Sequence, residues 1–229
     1  MIILFKYNIE CNHFLVTRKE KRVKKYIWLN PVVLKMYDQE EVNHALERLG
    51  FQIVTCEDNH LQTVKNKYKK QFETCKYSLC DNRCPKASAY VKVHYDQEEL
   101  EYSTIQPILI HCAEELANRY KNDEAELYII TPCTDLRDLG NKQAWKNTKF
   151  KTWTEFCKEH QLILTSKPME SSPIPPGFFD NISEVVSLSS KEDIDTHFRQ
   201  RAKQDRQLIE MLYCKGGCHN GDGVRITND

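Results

Sequence analysis

Two cysteines set around a pair of glycines dominate one short run of this chain: Cys214-Lys215-Gly216-Gly217-Cys218-His219-Asn220-Gly221-Asp222-Gly223. Paired glycines admit positive φ and let the backbone come close to a bulky object. Gly216 and Gly217 are therefore expected to shape a turn against a bound cofactor, with Cys214 and Cys218 both facing it. A soft, thiolate-held metal centre suits such a turn, and iron–sulfur clusters tolerate irregular cysteine spacing. The rest of the fold must then bring more cysteines to the same point.

The chain has the cysteines to do so, ten in 229 residues. No apolar run approaches the roughly 20 residues of a membrane span. The opening Met1-Ile2-Ile3-Leu4-Phe5 lacks the cationic start and cleavage site of a secretory leader. A cytoplasmic location follows as the expectation. There disulfides are disfavoured, and clustered cysteines point to metal or redox chemistry. Lys and Arg number 33 against 33 Asp and Glu, a net charge of zero. That balance argues against nucleic acid or an anionic membrane as partner.

Strand and helix signals alternate along the chain. Residues 1–7 and 26–34 have β character, the second run broken by Pro31. Asp38 caps a helix that carries Val42, Ala45 and Leu46 and stops at Gly50. Residues 51–56 form a strand, and Asp58 caps a helix to about residue 72. Residues 73–86 read as a loop, and 89–95 as extended or helical. Pro107 opens a helix to about residue 120. Residues 126–131 are a strand, 149–153 another, and Thr154 caps a short helix to about His160. Residues 171–177 form a linker, 184–188 a strand, and Ser190 caps a helix to about Lys203. Residues 206–213 form the last strand and deliver Cys214. The expected fold class is therefore α/β, with alternating strands and helices, partly parallel sheets in two small lobes and an iron–sulfur cluster between them. The whole of 1–229 is taken as one domain, with lobes at 1–132 and 133–229.

Cys84 is followed by Pro85, and Cys133 is preceded by Pro132. Proline fixes φ and stiffens a ligand-bearing loop. Cys84, Cys133 and Cys214 all fall near the ends of regular elements, where a sheet can aim thiols at one point. Structural zinc is the rival reading, although zinc sites usually show two close pairs such as C-x2-C twice. Cys56, Cys112 and Cys157 lie in apolar surroundings and read as small buried hydrophobes. Cys75 and Cys80 could replace a ligand, hold a second metal or form a reduced, loop-exposed pair. Cys11 with His13 is a weak metal pair. His219 reads as a surface residue before a cluster-tuning one.

The chain resembles the large-subunit catalytic domain of iron-only (FeFe) hydrogenases. Thr131-Pro132-Cys133-Thr134 and Glu210-Met211-Leu212-Tyr213-Cys214-Lys215-Gly216-Gly217-Cys218-His219-Asn220-Gly221-Asp222-Gly223 look like two signatures of that family. Arg83-Cys84-Pro85-Lys86-Ala87-Ser88-Ala89-Tyr90-Val91 approximates the third. The resemblance runs from about Tyr26 onward. It implies a 4Fe-4S cluster held by Cys84, Cys133, Cys214 and Cys218, the last of which also bridges to a two-iron subcluster in the family.

The departures bear on activity. Arg83 stands where active enzymes carry a proton-relaying cysteine, and an arginine cannot relay protons at neutral pH. Leu136 stands where a lysine contacts the two-iron site. Lys215 replaces a proline and Asp222 a glycine. The resemblance therefore implies a 4Fe-4S protein acting in electron transfer, redox sensing or cluster handling, without hydrogen production. The alternatives are an active iron–sulfur oxidoreductase and a zinc-stabilised interaction module. The expected partner is a ferredoxin or flavodoxin-like redox protein, or a larger iron–sulfur enzyme, and the basic run Lys65-Asn66-Lys67-Tyr68-Lys69-Lys70 could dock an acidic one.

Overall fold

A computed structural model describes residues 23–95, 99–200 and 206–225. The expected strand at 1–7 and the Cys11–His13 pair lie outside these residues. Two four-stranded sheets organise the described residues. The first takes β1 (Lys24–Trp28), β2 (Phe51–Ile53), β5 (Ala125–Thr131) and β6 (Thr148–Thr152) in the order β2-β1-β5-β6. The second takes β3 (Ser78–Cys80), β4 (Leu100–Tyr102), β7 (Val185–Leu188) and β8 (Leu208–Met211) in the order β4-β3-β8-β7.

Every strand pair in both sheets is parallel. Parallel strands need crossovers, and helices supply them. These are α1 (Pro31–Met36), α2 (Gln39–Arg48), α3 (His60–Thr74), α4 (Pro85–His94), α5 (Ile108–Tyr120), α6 (Thr134–Asn141), α7 (Trp153–Glu159) and α8 (Lys191–Gln200). The α/β architecture is thus as expected, with sheets parallel throughout the described residues. A cut between residues 132 and 133 would separate β5 from β6, which pair from Leu127 with Thr148 to Thr131 with Thr152.

Helices on both faces cover the central strands, so successive residues there feed two cores. In the first sheet Ile27, Tyr128 and Ile130 point to one core, and Tyr26, Leu127 and Ile129 to the other. In the second, Cys80, Ile209 and Met211 face one core, and Leu79 and Leu208 the other. Among the described residues no helix is long and apolar enough to cross a membrane.

Local chemistry explains the element ends. Asp38 accepts from the N–H groups of Glu40 and Glu41 and caps α2, which ends before Gly50 at φ +78°. The region after β1 departs from the expectation of a broken strand. Asn30 accepts from the N–H groups of Val32 and Val33, and Pro31 takes the first helical position of α1. Asn59, not Asp58, caps α3. Thr152, not Thr154, caps α7, in a reciprocal pair with Glu155. The loop expected at 73–86 contains β3 and the start of α4, and residues 89–94 are helical.

Candidate metal centre

Each sheet sends strands toward one cavity of about 1010 Å³. Cys84, Cys133, Cys214 and Cys218 all line it. Cys84 follows β3 and stands at the N-cap of α4, with Pro85 next. Cys133 follows β5 and stands at the N-cap of α6. A thiol at a helix N-terminus faces unpaired N–H groups and the positive end of the helix dipole, which favour its thiolate. Cys214 comes three residues after β8, and Cys218 opens a short 3-10 turn, Cys218–Asn220.

The C-terminal run crosses from one sheet to the other. At its start Gly216 N–H donates to Ser189 C=O in the second sheet's territory. Further on, Gly223 N–H donates to Pro132 C=O, and Thr154 N–H to Gly223 C=O. Tyr37 then donates its hydroxyl to Val224 C=O at 2.7 Å. Asp222 accepts from the Thr134 N–H and hydroxyl, at 3.0 and 2.7 Å, at the first turn of α6.

Gly217 and Gly221 pack closely against other segments of the protein. Gly216 and Gly217 have φ of +73° and +120°, and neither lines the cavity. A Cβ at Gly217 would meet the Ile174 carbonyl at 2.5 Å, and one at Gly221 the Pro132 carbonyl at 2.4 Å. His219 is buried, unlike the surface residue expected, and its Nδ1 has no hydrogen-bond partner.

The electrostatics of the thiols follow from where they sit. Burial pushes the Cys133 thiol up to about 12 and Cys214 up to about 11, and in both the charge of Cys84 adds to the rise. Burial also raises Cys84, although the N–H groups of Tyr213 and Ala87 oppose it. Burial raises the Cys218 thiol well above its ordinary value, and Cys84, Cys133 and Cys214 add to the rise. Cys84 opposes the ionisation of the other three, so a cation among them would ease the loss of their protons. Soft sulfur donors of this kind fit an iron–sulfur cluster.

Arg83 sits beside Cys84 in a buried triad. Its guanidinium donates to Asp81 at 2.9 Å and to Glu210 at 2.7 Å. It also lies over the rings of Phe178 and Phe179, 4.0 and 4.5 Å from their centroids. Burial alone would lower its pKa, but the two carboxylates outweigh that and raise it. Glu210 accepts in addition from the N–H groups of Gly177 and Phe178 and from the Ser187 hydroxyl. Leu136 is buried and lines the cavity. The positions of Arg83 and Leu136 therefore offer no group that exchanges protons near pH 7.

The remaining cysteines divide in an unforeseen way. Cys157 is buried in the first core, as expected. Cys75 and Cys80 are buried rather than loop-exposed, in separate cores. Cys75 donates its thiol to Phe72 and Tyr77 carbonyls at 3.2 Å. Cys56 and Cys112, expected as inert hydrophobes, both line the cavity with His60. One ligand atom from each of Cys56, His60 and Cys112 lies within 4.8 Å of the others. The Cys56-x3-His60 spacing is the sequence signal that could have marked them.

No known sequence family matches the chain. No curated relative matches it in sequence either. Among solved structures it is similar to the apo FeFe-hydrogenase of Chlamydomonas reinhardtii, determined as a cysteine-to-histidine variant, with a TM-score of 0.52 and 12% identity. The match covers 93% of this chain and 82% of that one. The chain has, at a distance, a hydrogenase-like fold.

Proposed function

We propose that the chain is an iron–sulfur protein that holds one 4Fe-4S cluster on Cys84, Cys133, Cys214 and Cys218 and serves electron transfer, redox sensing or cluster handling. The observation that carries this reading is that thiols from three distant segments, two of them at helix N-termini, open onto one cavity. A bound cluster would supply reversible one-electron storage. The protein's part is to keep the thiols aimed and partly shielded, through the strand ends, Pro85 and the tail bonds to Pro132 and Val224.

Spacing favours a cluster over a single zinc ion. Tetrahedral zinc holds its sulfurs roughly 3.8 Å apart. No three of these four thiols come within 4.8 Å of one another. Hydrogen production is not part of the proposal. Arg83 is fixed by Asp81 and Glu210, and Leu136 carries no exchangeable side-chain proton. A redox partner would find cations on α3, where Lys69 and Lys70 are exposed beside the buried Tyr68. Steering of an acidic partner falls off with salt.

Anaerobic purification should give about four irons and four sulfides per chain. Cys218→Ser should remove them, while Cys157→Ser keeps them. A wild-type protein that cannot be loaded, or equal losses in both variants, would sink the assignment. Carbon monoxide and cyanide bands in the infrared spectrum would reject the exclusion of hydrogen chemistry.

A further inference from the structure

We infer that Cys56, Cys112 and His60 form a second, mononuclear metal site of the zinc class in the wall of the cavity, with its fourth position open to the cavity. Three separate elements bring these donors together. Cys56 lies on the loop after β2, His60 is the first residue of α3, and Cys112 is on α5. Cys112 is 8% exposed, so its thiol has little access to water. Two thiols and an imidazole are a donor set that zinc takes in three-ligand sites, which keep an open position for water or substrate. Zinc–ligand bonds of about 2.0–2.3 Å put neighbouring ligand atoms roughly 3.5–3.8 Å apart. The three atoms are already within 4.8 Å, so closing around an ion needs side-chain movement on the order of 1 Å.

The surroundings fix the imidazole. His60 Nε2 pairs with Glu115 at 2.7 Å, and both side chains are largely buried. Glu115 lies three residues beyond Cys112 on α5, so the two share a helix face. The same carboxylate accepts from the N–H groups of Glu57 and Asp58 at 2.9 and 3.2 Å, and Arg119 pairs with it. The loop carrying Cys56 is thereby strapped to the helix carrying Cys112. A carboxylate behind a histidine sets ring orientation and basicity at zinc sites. Asp58, His60 and Glu115 also approach one another. Glu115, however, does not line the cavity and is engaged on the loop, whereas Cys56, His60 and Cys112 all line it. Two thiol protons leave as the ion binds. Water or a small anion in the cavity would complete the coordination.

This site does not depend on the iron–sulfur reading, because it shares no ligand with the other four thiols. The test is cobalt and zinc titration of the full chain, kept reduced and free of iron. The expected result is about one ion per chain with a thiolate-to-cobalt absorption band. Cys56→Ser and His60→Gln should each abolish the band. Glu115→Gln should keep the band with affinity about 10–100-fold lower. Cys214→Ser and Cys218→Ser should leave it unchanged. A thermal melt of each variant without metal separates misfolding from ligand loss. Absence of the band in the wild type would overturn the site. So would a band that survives Cys56→Ser and disappears in Cys218→Ser. A Cys56–Cys112 disulfide in place of bound metal, seen by mass spectrometry of anaerobic protein, would also overturn it.

Discussion

The first sheet closes on side chains without charge, among them Ile27, Phe51, Ile129, Trp153 and Phe156, whereas the second buries Asp81, Arg83 and Glu210 side by side. Both sheets do the same work, placing a cysteine just beyond a strand and at the head of a helix. The first does it by apolar packing and neutral hydrogen bonds, which respond gradually to change because each methylene contributes separately. The second does it through three groups that are tolerable only together. A buried charge without its partner costs far more than the pair yields. The segment that presents Cys84 is thus specified more sharply than the one that presents Cys133.

Breaking the triad is the most severe way to test that contrast. Arg83→Met should cost about 3–5 kcal/mol, because two carboxylates are left buried without a cation. The midpoint of urea unfolding checks it. Ile129→Val in the first sheet should cost only about 0.5–1.5 kcal/mol. Equal costs would dissolve the distinction.

The glycines of the tail sharpen it next. Gly221→Ala sets a Cβ against the Pro132 carbonyl, which is backbone and cannot swing away. It should cost about 1–3 kcal/mol and lower metal content. A Cβ at Gly216 meets only the His219 ring edge, at an ordinary 3.5 Å. Gly216→Ala should therefore show only the left-handed backbone cost, about 1–2 kcal/mol, and keep its metal. Thermal melts and iron analysis of the two variants decide the order.

The smallest effect belongs to the surface of the first sheet. Glu126 pairs with Lys149 at 3.0 Å. That hydrogen bond, with some opposition from burial, holds the Glu126 carboxyl below its ordinary range. A depressed carboxyl contributes stability above its unfolded pKa and loses it as pH falls through the folded one. Lys149→Met should thus be weaker than wild type by a few tenths of a kcal/mol at pH 7. The gap should close in acid, below the usual carboxylate range. Paired denaturation curves at the two pH values measure it.

Punctuation was legible in the sequence wherever one residue does one local job. Asp38 and Gly50 bound α2 because capping and positive φ are local chemistry. Asn30-Pro31 was misread because the same pair can break a strand or begin a helix. What settles it is Asn30 Nδ2 donating to the Ile130 carbonyl, a contact 100 residues away. β3 was hidden because three fully buried residues show no alternation. The four thiols could be proposed from their motifs, but the sulfurs of Cys56 and Cys112 could not be paired. They lie 56 residues apart, and each looks apolar in its own segment. The triad was hidden for the same reason, since Arg83 and Glu210 are 127 residues apart.

The place of β8 also bears on when the protein can mature. β8 pairs with β3 on one side and β7 on the other, so it alone joins the two halves of the second sheet. Glu210, the third member of the triad, rides on it. During synthesis Asp81 and Arg83 emerge long before their partner, and until residues 208–211 arrive they must stay hydrated. In the proposed cluster site Cys84 and Cys133 likewise wait for Cys214 and Cys218. A nascent chain therefore offers scattered thiols and no socket. A cluster on these four thiols, as proposed, would therefore be delivered only after Cys218 has left the ribosome, whereas the donors Cys56, His60 and Cys112 are all made before β8.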